Sequence, residues 1–504
     1  MKSKFSQKVA GVLSAVFSRL TVAIGALVSF AKRTRLGIRS MSKSERLSLV
    51  GLIVIFVVLA VIKGRDIYLN RTVAVPKMGG VYREIDLGQL DYLNPILAKS
   101  DTERSISRLI YSGLVKVDGA GNVVPDLAES WEIAPDGLIY TFNLAKNVYF
   151  DNGAGFEAED VVATIARIKD AQTKSPYQQV WADIDVDATS PDIVTMTLPY
   201  PYGPFLYNCT QGIVDSSEAS GSLVGNINGT GPYRIDKIST DKNGKIEKIE
   251  LSLNDSNYLN PVLIGKVEFT LTKDSKDLTG GLDRYAAAAG GAMDHGDFSD
   301  LSFSVNRYVA LIPNIRRELM ADQNNRDIIF KDGSFTEKTK LSLLVQDVDS
   351  QIEIAAKLAD ELGTKNIDLE VVKLPGPEYL ERRAARDYDL LLTGFDFGYD
   401  RDPYTYWHSS QMDKENYAGY SEKSSDITLE DARMMQDAGE RNKRYDQFFD
   451  TIKGVSLVRF FDPIQYQFYI SDGVKGVEPI IASKPEDRFN TISSWYLKEG
   501  RVKK

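Results

Sequence analysis

The sequence is poor in the residues that usually build disulfides and metal sites. Its 504 residues include one cysteine, Cys209, and two histidines, His295 and His408. A single cysteine excludes an internal disulfide framework and a cysteine-rich zinc module, and its position deep in the sequence does not suit a lipoprotein cysteine. Two histidines leave little room for a histidine-rich metal site. We therefore expect no metal and no cofactor.

Outside its first segment the chain has no excess of positive charge. Lys and Arg number 61 against 70 Asp and Glu, which gives a formal charge of −9. Residues 1–46 hold ten basic residues and one acid and so carry +9, which leaves −18 on the other 458 residues. An acidic body of this kind repels nucleic-acid phosphates. We expect no nucleic-acid partner.

Motifs of common enzymes and cation-binding loops are missing. The sequence has no G-x-x-x-x-G-K-[ST] phosphate loop and no G-x-S-x-G nucleophile elbow. MDHGDFSD (293–300) has metal-capable residues, but their spacing fits neither a zinc site nor an EF-hand, and an acidic surface turn suits it better. We expect a protein that is not an enzyme, with an extracellular hydrolase as the weakest alternative.

The segment Leu47–Ile62 is sixteen residues long and carries no charge. A membrane-spanning helix needs about 17–25 apolar residues, which the flanking residues can complete. We predict an uncleaved anchor at 47–63, with a buried core helix or a cleaved signal peptide as alternatives. The basic segment 1–46 then stays in the cytoplasm, a linker covers 64–78, and the rest of the chain lies outside the cell membrane.

A second apolar stretch precedes this anchor. Val9–Ala31 contains Arg19 in its middle and is flanked by basic residues. An amphipathic helix in the plane of the membrane suits this pattern better than a second span, and both readings stay open.

Strands and helices alternate from residue 79 onward. VYREIDL (81–87) alternates as a strand does, whereas Thr102–Tyr111 and Glu157–Lys169 carry apolar residues at helical spacing. Further along, strands are predicted at Leu341–Val345, Leu369–Leu374 and Leu390–Thr393, with helices at Gln351–Leu362 (capped by Gly363) and Glu378–Arg386 between them. This β-α-β-α-β order predicts a parallel, doubly wound lobe.

A colinear set of motifs from Gly79 to Trp495 resembles the family-5 extracytoplasmic solute-binding proteins of ABC importers, the oligopeptide-, dipeptide- and nickel-binding group. The motifs are LNP (93–95), YSGLV (111–115), VPDLAESWEIAPDGLIYTFNL (124–144), VYFDNGAGFEAEDVV (148–162), NGTGPYRI (228–235), LNDSNYLNP (253–261), YDLLLTGFDFGYDRDPYTYWHSSQ (388–411), NYAGYS (416–421), RNKRYDQFFDTI (441–452) and VKGV (474–477). Their number and order carry the resemblance, since each one alone is a modest signal.

The resemblance implies an α/β fold of the two-lobed periplasmic-binding-protein type (type II, cluster C) with an extra small lobe. Lobe I would comprise 79–111, 204–300 and 465–498, the small lobe II 112–203, and lobe III 301–464. One departure stands out, because only residues 306–335 occupy the place where the family has a further helix and a long loop. Lobe III is therefore expected to be trimmed.

The resemblance also implies capture of a solute without chemical conversion. We expect a bacterial, membrane-tethered monomer that traps oligopeptides in an interlobe cleft and delivers them to the permease and ATPase subunits of an ABC transporter. A nickel chelate or another small solute is an alternative ligand. The trimmed lobe also leaves open a surface receptor or adhesion module on the same scaffold.

The loop FDFGYDRDPYTYW (395–407) mixes carboxylates with aromatic rings, which suits a cleft for peptides. By resemblance, the family's amine-binding Asp lies a few residues before the Asp-Pro pair, so Asp400 is the best match and Asp396 the second. The predicted aromatic contacts of the ligand are Phe397, Tyr399, Trp407, Tyr111 and Tyr420. Turn formation and core packing are the alternatives for these residues.

Overall fold

The computed structural model describes residues 42–87, 90–219, 227–256, 262–272, 284–285, 298–466 and 468–504. The chain divides into two compact units, Met1–Val75 with Glu499–Lys504, and Pro76–Lys498. The predicted helix at Val9–Ala31, most of the basic segment 1–46 and residues 293–297 of the MDHGDFSD motif lie outside the described residues.

In the part of the first unit that the structure describes, the chain forms the long helix α1 (Lys43–Arg71). Ser42 caps its N-terminus in a capping box, since the Ser42 amide donates to the Glu45 carboxylate at 2.8 Å and the Ser42 hydroxyl accepts from the Glu45 amide at 3.3 Å. By length and composition α1 is long and apolar enough to cross a membrane. Its apolar side chains are exposed, and Phe56, for example, is 72% exposed. The structure places the end of α1 and strand β1 (Thr72–Lys77) in the segment that the sequence assigned to a linker.

The first half of the second unit alternates short strands and helices. In chain order they are β2 (Val81–Leu87), α2 (Asp101–Ile110), β3 (Val115–Val117), β4 (Val123–Pro125), β5 (Ala128–Ile133), β6 (Ile139–Leu144), α3 (Ala158–Lys169), α4 (Gln178–Trp181), β7 (Asp185–Ser190), β8 (Ile193–Thr197), α5 (Phe205–Asn208), α6 (Ser216–Ala219), β9 (Tyr233–Thr240), β10 (Ile246–Leu253), β11 (Lys266–Thr272), β12 (Arg284–Tyr285) and β13 (Phe298–Asp300). The strand predicted at 81–87 and the helices predicted near 102–111 and 157–169 are confirmed.

The second half of this unit begins with a long strand. Its elements are β14 (Phe303–Pro313), α7 (Glu318–Ala321), α8 (Gln323–Phe330), β15 (Thr339–Gln346), α9 (Asp349–Gly363), β16 (Ile367–Leu374), α10 (Gly376–Ala384), β17 (Leu390–Asp396), α11 (Tyr404–Trp407), a 3-10 turn (Ser409–Gln411), α12 (Lys423–Met434), α13 (Ala438–Gly454), β18 (Arg459–Tyr466), β19 (Tyr469–Ser471) and a 3-10 helix (Pro485–Ser494). The last strand, β20 (Lys498–Lys503), belongs to the first unit except for its first residue, and it pairs with β1.

Three larger sheets organise the second unit. A seven-stranded sheet has the order β13-β19-β12-β2-β11-β10-β9, a four-stranded antiparallel sheet the order β5-β6-β8-β7, and a five-stranded sheet the order β16-β15-β17-β14-β18. The first sheet mixes parallel pairing of β2 with β11 and antiparallel pairing of β10 with its neighbours. Mixed sheets with helices between the strands make this an α/β fold, as predicted.

The predicted β-α-β-α-β segment forms the parallel part of the five-stranded sheet. Strand β15 lies between β16 and β17 and is parallel to both, while β14 pairs antiparallel with β17. The prediction of a Gly363 cap is wrong, because α9 continues through Gly363 and its C-cap is Thr364 in a right-handed conformation. The backbone turns there without needing a glycine.

Among the described residues, the buried apolar side chains form three clusters. The largest lies along the seven- and four-stranded sheets and includes Tyr82 and Trp495, whose rings meet edge to face at 5.6 Å. The other two lie in the region of the five-stranded sheet, one of them rich in aromatic rings around Phe395. Together these clusters hold α2 and the loop after β17 in the positions that shape the candidate site.

Candidate functional site

Helix α2 supplies the first basic side chains of the candidate site. Its start is fixed by a capping box, in which the Ser100 amide donates to Glu103 at 2.9 Å and the Ser100 hydroxyl accepts from the Glu103 amide at 3.1 Å. Burial works to raise the pKa of Glu103, but four backbone N–H groups prevail and lower it. The apolar face of α2 is fully buried, so Arg104 and Arg108, one turn apart, share another face.

This basic face of α2 borders a cavity of about 280 Å³. Its other walls include the end of α5 and the chain up to residue 212, the residues 111–117 that follow α2, Tyr399 from the loop after β17, and the 3-10 helix that begins at Pro485. The cavity therefore brings together segments that are almost 400 residues apart in sequence.

The two arginines of α2 have different partners. Arg104 pairs with Glu486 at 2.9 Å and also with Asp101. The guanidinium of Arg108 donates to the side-chain carbonyl of Asn490 at 2.7 Å, and within the described part of the chain no carboxylate lies within ion-pair distance of it. Burial works to lower the pKa of Arg108, but the electrostatic influence of Tyr399, followed by that of Asp487, Glu486 and Asp126, prevails and raises it. A charged guanidinium in this state is suited to bind a carboxylate in bidentate fashion.

Tyr399 brings the predicted ligand loop to the cavity. Its ring stacks on Tyr207 with centroids 5.1 Å apart, and its hydroxyl donates to Asp487. The ammonium group of Lys484 lies 5.4 Å from the centre of the Tyr399 ring. Burial and the neighbouring Asp487 raise the pKa of Tyr399 well above its ordinary value. Tyr399 is thus a neutral aromatic wall with a cation beside it.

Asp126 adds a titratable group to the same cavity. It follows strand β4 directly and is 8% exposed. Burial raises the pKa of its carboxyl to about 6, against the lowering effect of Lys116 and Arg108. The charge of the cavity therefore becomes more positive as the pH falls through 6.

Tyr111, a predicted ligand contact, lines the cavity at the end of α2. Its side chain is 4% exposed, and its hydroxyl has no hydrogen-bond partner within the described residues. Burial, followed by the charge of Glu218, raises the pKa of Tyr111 far above its ordinary range. The hydroxyl is therefore a neutral donor and acceptor next to the cavity.

The structure places Asp400 in an ion pair rather than in the cavity wall. Its carboxylate accepts from Arg441 Nε at 2.7 and 2.9 Å and from the Tyr445 hydroxyl at 3.2 Å, while Arg441 Nη2 lies 2.5 Å from it. Burial raises the pKa of Asp400 although Arg441 lowers it. Both carboxylate oxygens are engaged by side chains of α13.

Asp396, the second predicted amine partner, also contacts arginine. Its carboxylate pairs with Arg307 at 2.9 Å, and the same guanidinium lies 3.3 Å from Asp101 at the start of α2. The Gly398 amide donates to the other Asp396 oxygen at 3.0 Å, which shapes the turn after β17. This network connects the loop to α2 near the cavity.

The remaining predicted aromatic contacts lie in the buried aromatic cluster. Phe397 stacks on Phe395 at 5.7 Å, and Trp407 is 1% exposed. Tyr420 is 8% exposed and its hydroxyl lies 2.8 Å from Ser425. Of the seven predicted site residues, the structure brings Tyr399 and Tyr111 together at the cavity, and contact of the other five with a ligand stays a prediction.

Sequence reasoning missed the basic half of the site. Arg108, Lys484 and Asn490 meet at the cavity from segments far apart in the chain. The i, i+4 spacing of Arg104 and Arg108 was a usable signal, because it places two cations on one face of a helix whose other face is apolar. No local pattern connected this face to the segment around Pro485.

Within the ranges that the structure describes, no group of three or more His, Cys, Asp or Glu side chains is arranged to hold a metal ion.

Comparisons with known proteins agree with the motif-based resemblance. The family model of bacterial extracellular solute-binding proteins, family 5 middle region, matches residues 122–327. The oligopeptide-binding protein AppA of Bacillus subtilis (strain 168) is 23% identical over 525 aligned residues, which cover 85% of this chain and 93% of that protein. The glutathione-binding protein GsiB of Escherichia coli O1:K1 / APEC is 28% identical over 163 residues, or 31% of this chain and 32% of that protein.

Solved structures show the same fold. The crystal structure of NikZ from Campylobacter jejuni in complex with Ni(L-His) matches with a TM-score of 0.64 at 20% sequence identity. The match covers 82% of this chain and 99% of that one. Nearly the whole of NikZ therefore has a structural counterpart here.

Proposed function

The chain belongs to the bacterial family-5 extracellular solute-binding proteins of ABC importers, and from this premise we propose that it captures a short peptide or a similarly small carboxylate-bearing solute beside Arg108. The observation that carries this proposal is the guanidinium of Arg108, which borders the cavity without an ion-pair partner in the described part of the chain. A ligand carboxylate would supply that partner.

The size of the cavity argues for a short ligand. Small-molecule sites typically measure about 300–1,000 Å³, and the cavity of about 280 Å³ is at the lower end of that range. A dipeptide, a tripeptide or an amino-acid chelate of a metal fits this volume better than a long oligopeptide. Relatives that are named for binding peptides and glutathione are consistent with solutes of this kind.

The charges around the cavity argue for a carboxylate as the first recognised group. Arg108 and Lys484 are cations at its wall, while Arg104 is already paired with Glu486. The predicted amine partners, Asp396 and Asp400, are each engaged by an arginine. An ammonium group of the ligand would have to open one of those pairs, whereas a carboxylate meets Arg108 directly.

We further propose that α1 tethers the protein to the membrane, with its N-terminal side in the cytoplasm and the solute-binding unit outside. The dense positive charge before the apolar run supports this orientation. A tether keeps the binding unit near the permease of an ABC transporter, which raises its effective concentration there. The partners would be the permease and ATPase subunits of that importer.

A melting-shift titration of the full-length chain in detergent tests the ligand proposal. Free dipeptides and tripeptides, glutathione and a nickel–histidine chelate are compared with peptides whose C-terminal carboxyl is amidated. A ligand that binds only the folded state raises the melting temperature. We expect a shift from at least one free-carboxyl ligand and a loss of about tenfold or more in affinity on amidation.

Two variants make the test specific for the cavity. Arg108→Gln should lower the affinity about as much as amidation does, because the charged partner of the carboxylate is removed. Arg317→Gln removes one exposed arginine, paired with Asp387 at 2.9 Å, and should bind like the wild type. Equal binding by all three proteins, or equal binding of free and amidated peptides, would reject Arg108 as the carboxylate partner.

A further inference from the structure

Strand β20 caps the C-terminal end of helix α1. It pairs with β1 in a two-stranded sheet and runs back toward the helix, so that the Lys504 amide donates to the Arg71 carbonyl at 3.0 Å. Arg501 Nη2 donates to the carbonyls of Leu69 at 3.3 Å and Thr72 at 3.0 Å. A guanidinium at this place satisfies carbonyls that the end of a helix leaves open, and it complements the helix dipole.

Arg501 keeps unused hydrogen-bond donors after it has capped the end of α1. Arg501 Nε donates to the Thr72 hydroxyl at 2.8 Å, and that hydroxyl donates to the Tyr68 carbonyl at 2.6 Å. The Nη1 group of Arg501 forms no hydrogen bond within the residues described. Arg501 is therefore fixed in position by one edge of its guanidinium while the other edge is available.

A recess lies at this helix end. It is lined by Gly64, Ile67, Tyr68, Arg71, Thr72, Arg501 and Lys503. Arg71, Arg501 and Lys503 are exposed, and none of the three pairs with a carboxylate in the described part of the chain. Ile67 and Tyr68 add apolar surface and are 46% and 53% exposed. Three cations thus converge above an apolar and aromatic floor.

The charge of this region is opposite to that of the solute-binding unit. Residues 63–75 and 499–504 contain six basic and two acidic residues and so carry +4, whereas residues 76–498 carry −22. A positive patch that adjoins an acidic solute-binding segment attracts anions that this segment itself repels. The position of these basic residues along α1 indicates which anion they can meet.

The recess falls at the depth of lipid headgroups if α1 spans a membrane. The uncharged run Leu47–Ile62 needs about two more residues at each end to reach the ~20 residues of a hydrocarbon core, which extends the span to Gly64. Tyr68 and Arg71 then lie ~6 and ~10 Å farther along the helix at 1.5 Å per residue. The headgroup layer is about 5–7 Å thick on each side, so Tyr68 lies within it and Arg71 can reach back into it.

We propose that the recess formed by Arg71, Arg501 and Lys503 binds the phosphate of an anionic phospholipid headgroup. This inference rests on the proposed membrane tether and is independent of the proposed ligand. The two-stranded sheet of β1 and β20 holds residues from both ends of the described chain around one lipid. The phosphate would accept from the open edge of Arg501, while Ile67 and Tyr68 pack on the glycerol and the upper acyl chains.

Lipid retention by the full-length chain tests the proposal. The protein is reconstituted in nanodiscs with equal amounts of phosphatidylglycerol and phosphatidylcholine, and the lipids that remain bound after release are counted by native mass spectrometry. The double variant Arg71→Gln with Lys503→Gln removes two cations of the recess and leaves the bonds of Arg501 intact. The control Lys63→Gln with Arg65→Gln removes the same charge from α1 outside the recess.

We expect the wild type and the control to retain phosphatidylglycerol in preference to phosphatidylcholine, and the double variant to lose about tenfold or more of that preference. Equal preference in all three proteins, or none in the wild type, would overturn the proposal. A soluble arm with glycerol phosphate separates the sources, since effective competition by it would identify a free phosphate site instead. Extraction of the protein from cell membranes by carbonate would instead refute the tether, and the ligand titration would be unaffected.

Discussion

Replacing Asp126 by Asn tests whether the cavity wall holds a carboxyl that resists ionisation. Burial raises the pKa of Asp126 from 3.8 to about 6 in the folded protein. A folded-state pKa above the unfolded value means that folding favours the protonated acid. The stabilising contribution of Asp126 is therefore complete below pH ~4 and is lost as the pH rises through ~6.

The size of the effect follows from the shift. Two pKa units correspond to ~3 kcal/mol at pH values well above 6. Asn has nearly the same shape as protonated Asp and carries no charge. Asp126→Asn should therefore raise the free energy of unfolding at pH 7.5 by ~3 kcal/mol and change it little at pH 4.5.

Urea unfolding of the wild type and of Asp126→Asn at half-unit steps between pH 4.5 and 7.5 measures this difference. Other acids titrate in the same range, so the quantity to follow is the difference between the two proteins at each pH. Asp347→Asn, at an exposed position after β15, is the control for removing one carboxylate from the surface. A lower stability of Asp126→Asn at pH 7.5, or a constant difference across the range, would refute the argument.

Two further predictions concern packing and charge in the solute-binding unit. Asp400→Asn should lower the free energy of unfolding by ~3 kcal/mol in urea melts. The reason is that Arg441, whose side chain is 2% exposed, would lose its buried counter-ion. Unchanged stability would contradict a stabilising role of this ion pair. Gly229→Ala should cost ~2–3 kcal/mol by the same measurement, since a Cβ there would lie 1.9 Å from the Ile110 carbonyl oxygen. Gly155→Ala, with nothing within 4 Å, is the matched control, and an equal cost at both positions would rule out the steric explanation.

The sequence predicted the local elements well, because periodicity and capping act over a few residues. The apolar spacing of α2 and α3 and the alternation in β2 are patterns of this kind. The order of strands and helices after residue 339 also predicted parallel pairing, since each crossover helix reverses the chain between strands. The error at Gly363 shows the limit of single-residue signals, because a glycine permits a left-handed cap without requiring one.

The NGTGPYRI motif illustrates a physical reason for a family resemblance. Gly229 and Gly231 approach the backbone of Ile110 so closely that a Cβ on either would meet its carbonyl group at 2.7 Å or less, and the Gly231 amide donates to that carbonyl at 2.8 Å. The motif is therefore a packing site against the end of α2. Because α2 carries Arg108, this contact also positions the guanidinium that borders the cavity.

The site itself could be predicted only in part, because it depends on contacts that no local pattern encodes. Asp400 sits in a loop of the expected composition, yet its carboxylate is engaged by Arg441, which lies 41 residues later on α13. Nothing in the helical pattern around Arg108 distinguishes it from a surface arginine, and its contact with Asn490 depends on the packing of a segment almost 400 residues later. Sequence composition identified the loop, while tertiary packing decided which of its side chains face the cavity.

The charge of the whole unit says little about the ligand. Residues 76–498 carry −22, which favours cationic solutes at long range, but at physiological ionic strength charges are screened beyond ~8 Å. Inside the cavity the nearest charges decide, and there Arg108 and Lys484 outweigh Asp126, whose ionisation burial opposes. An acidic protein can therefore have a locally cationic cavity. The few side chains that lose water together with the ligand select a carboxylate, and the net charge of the protein does not.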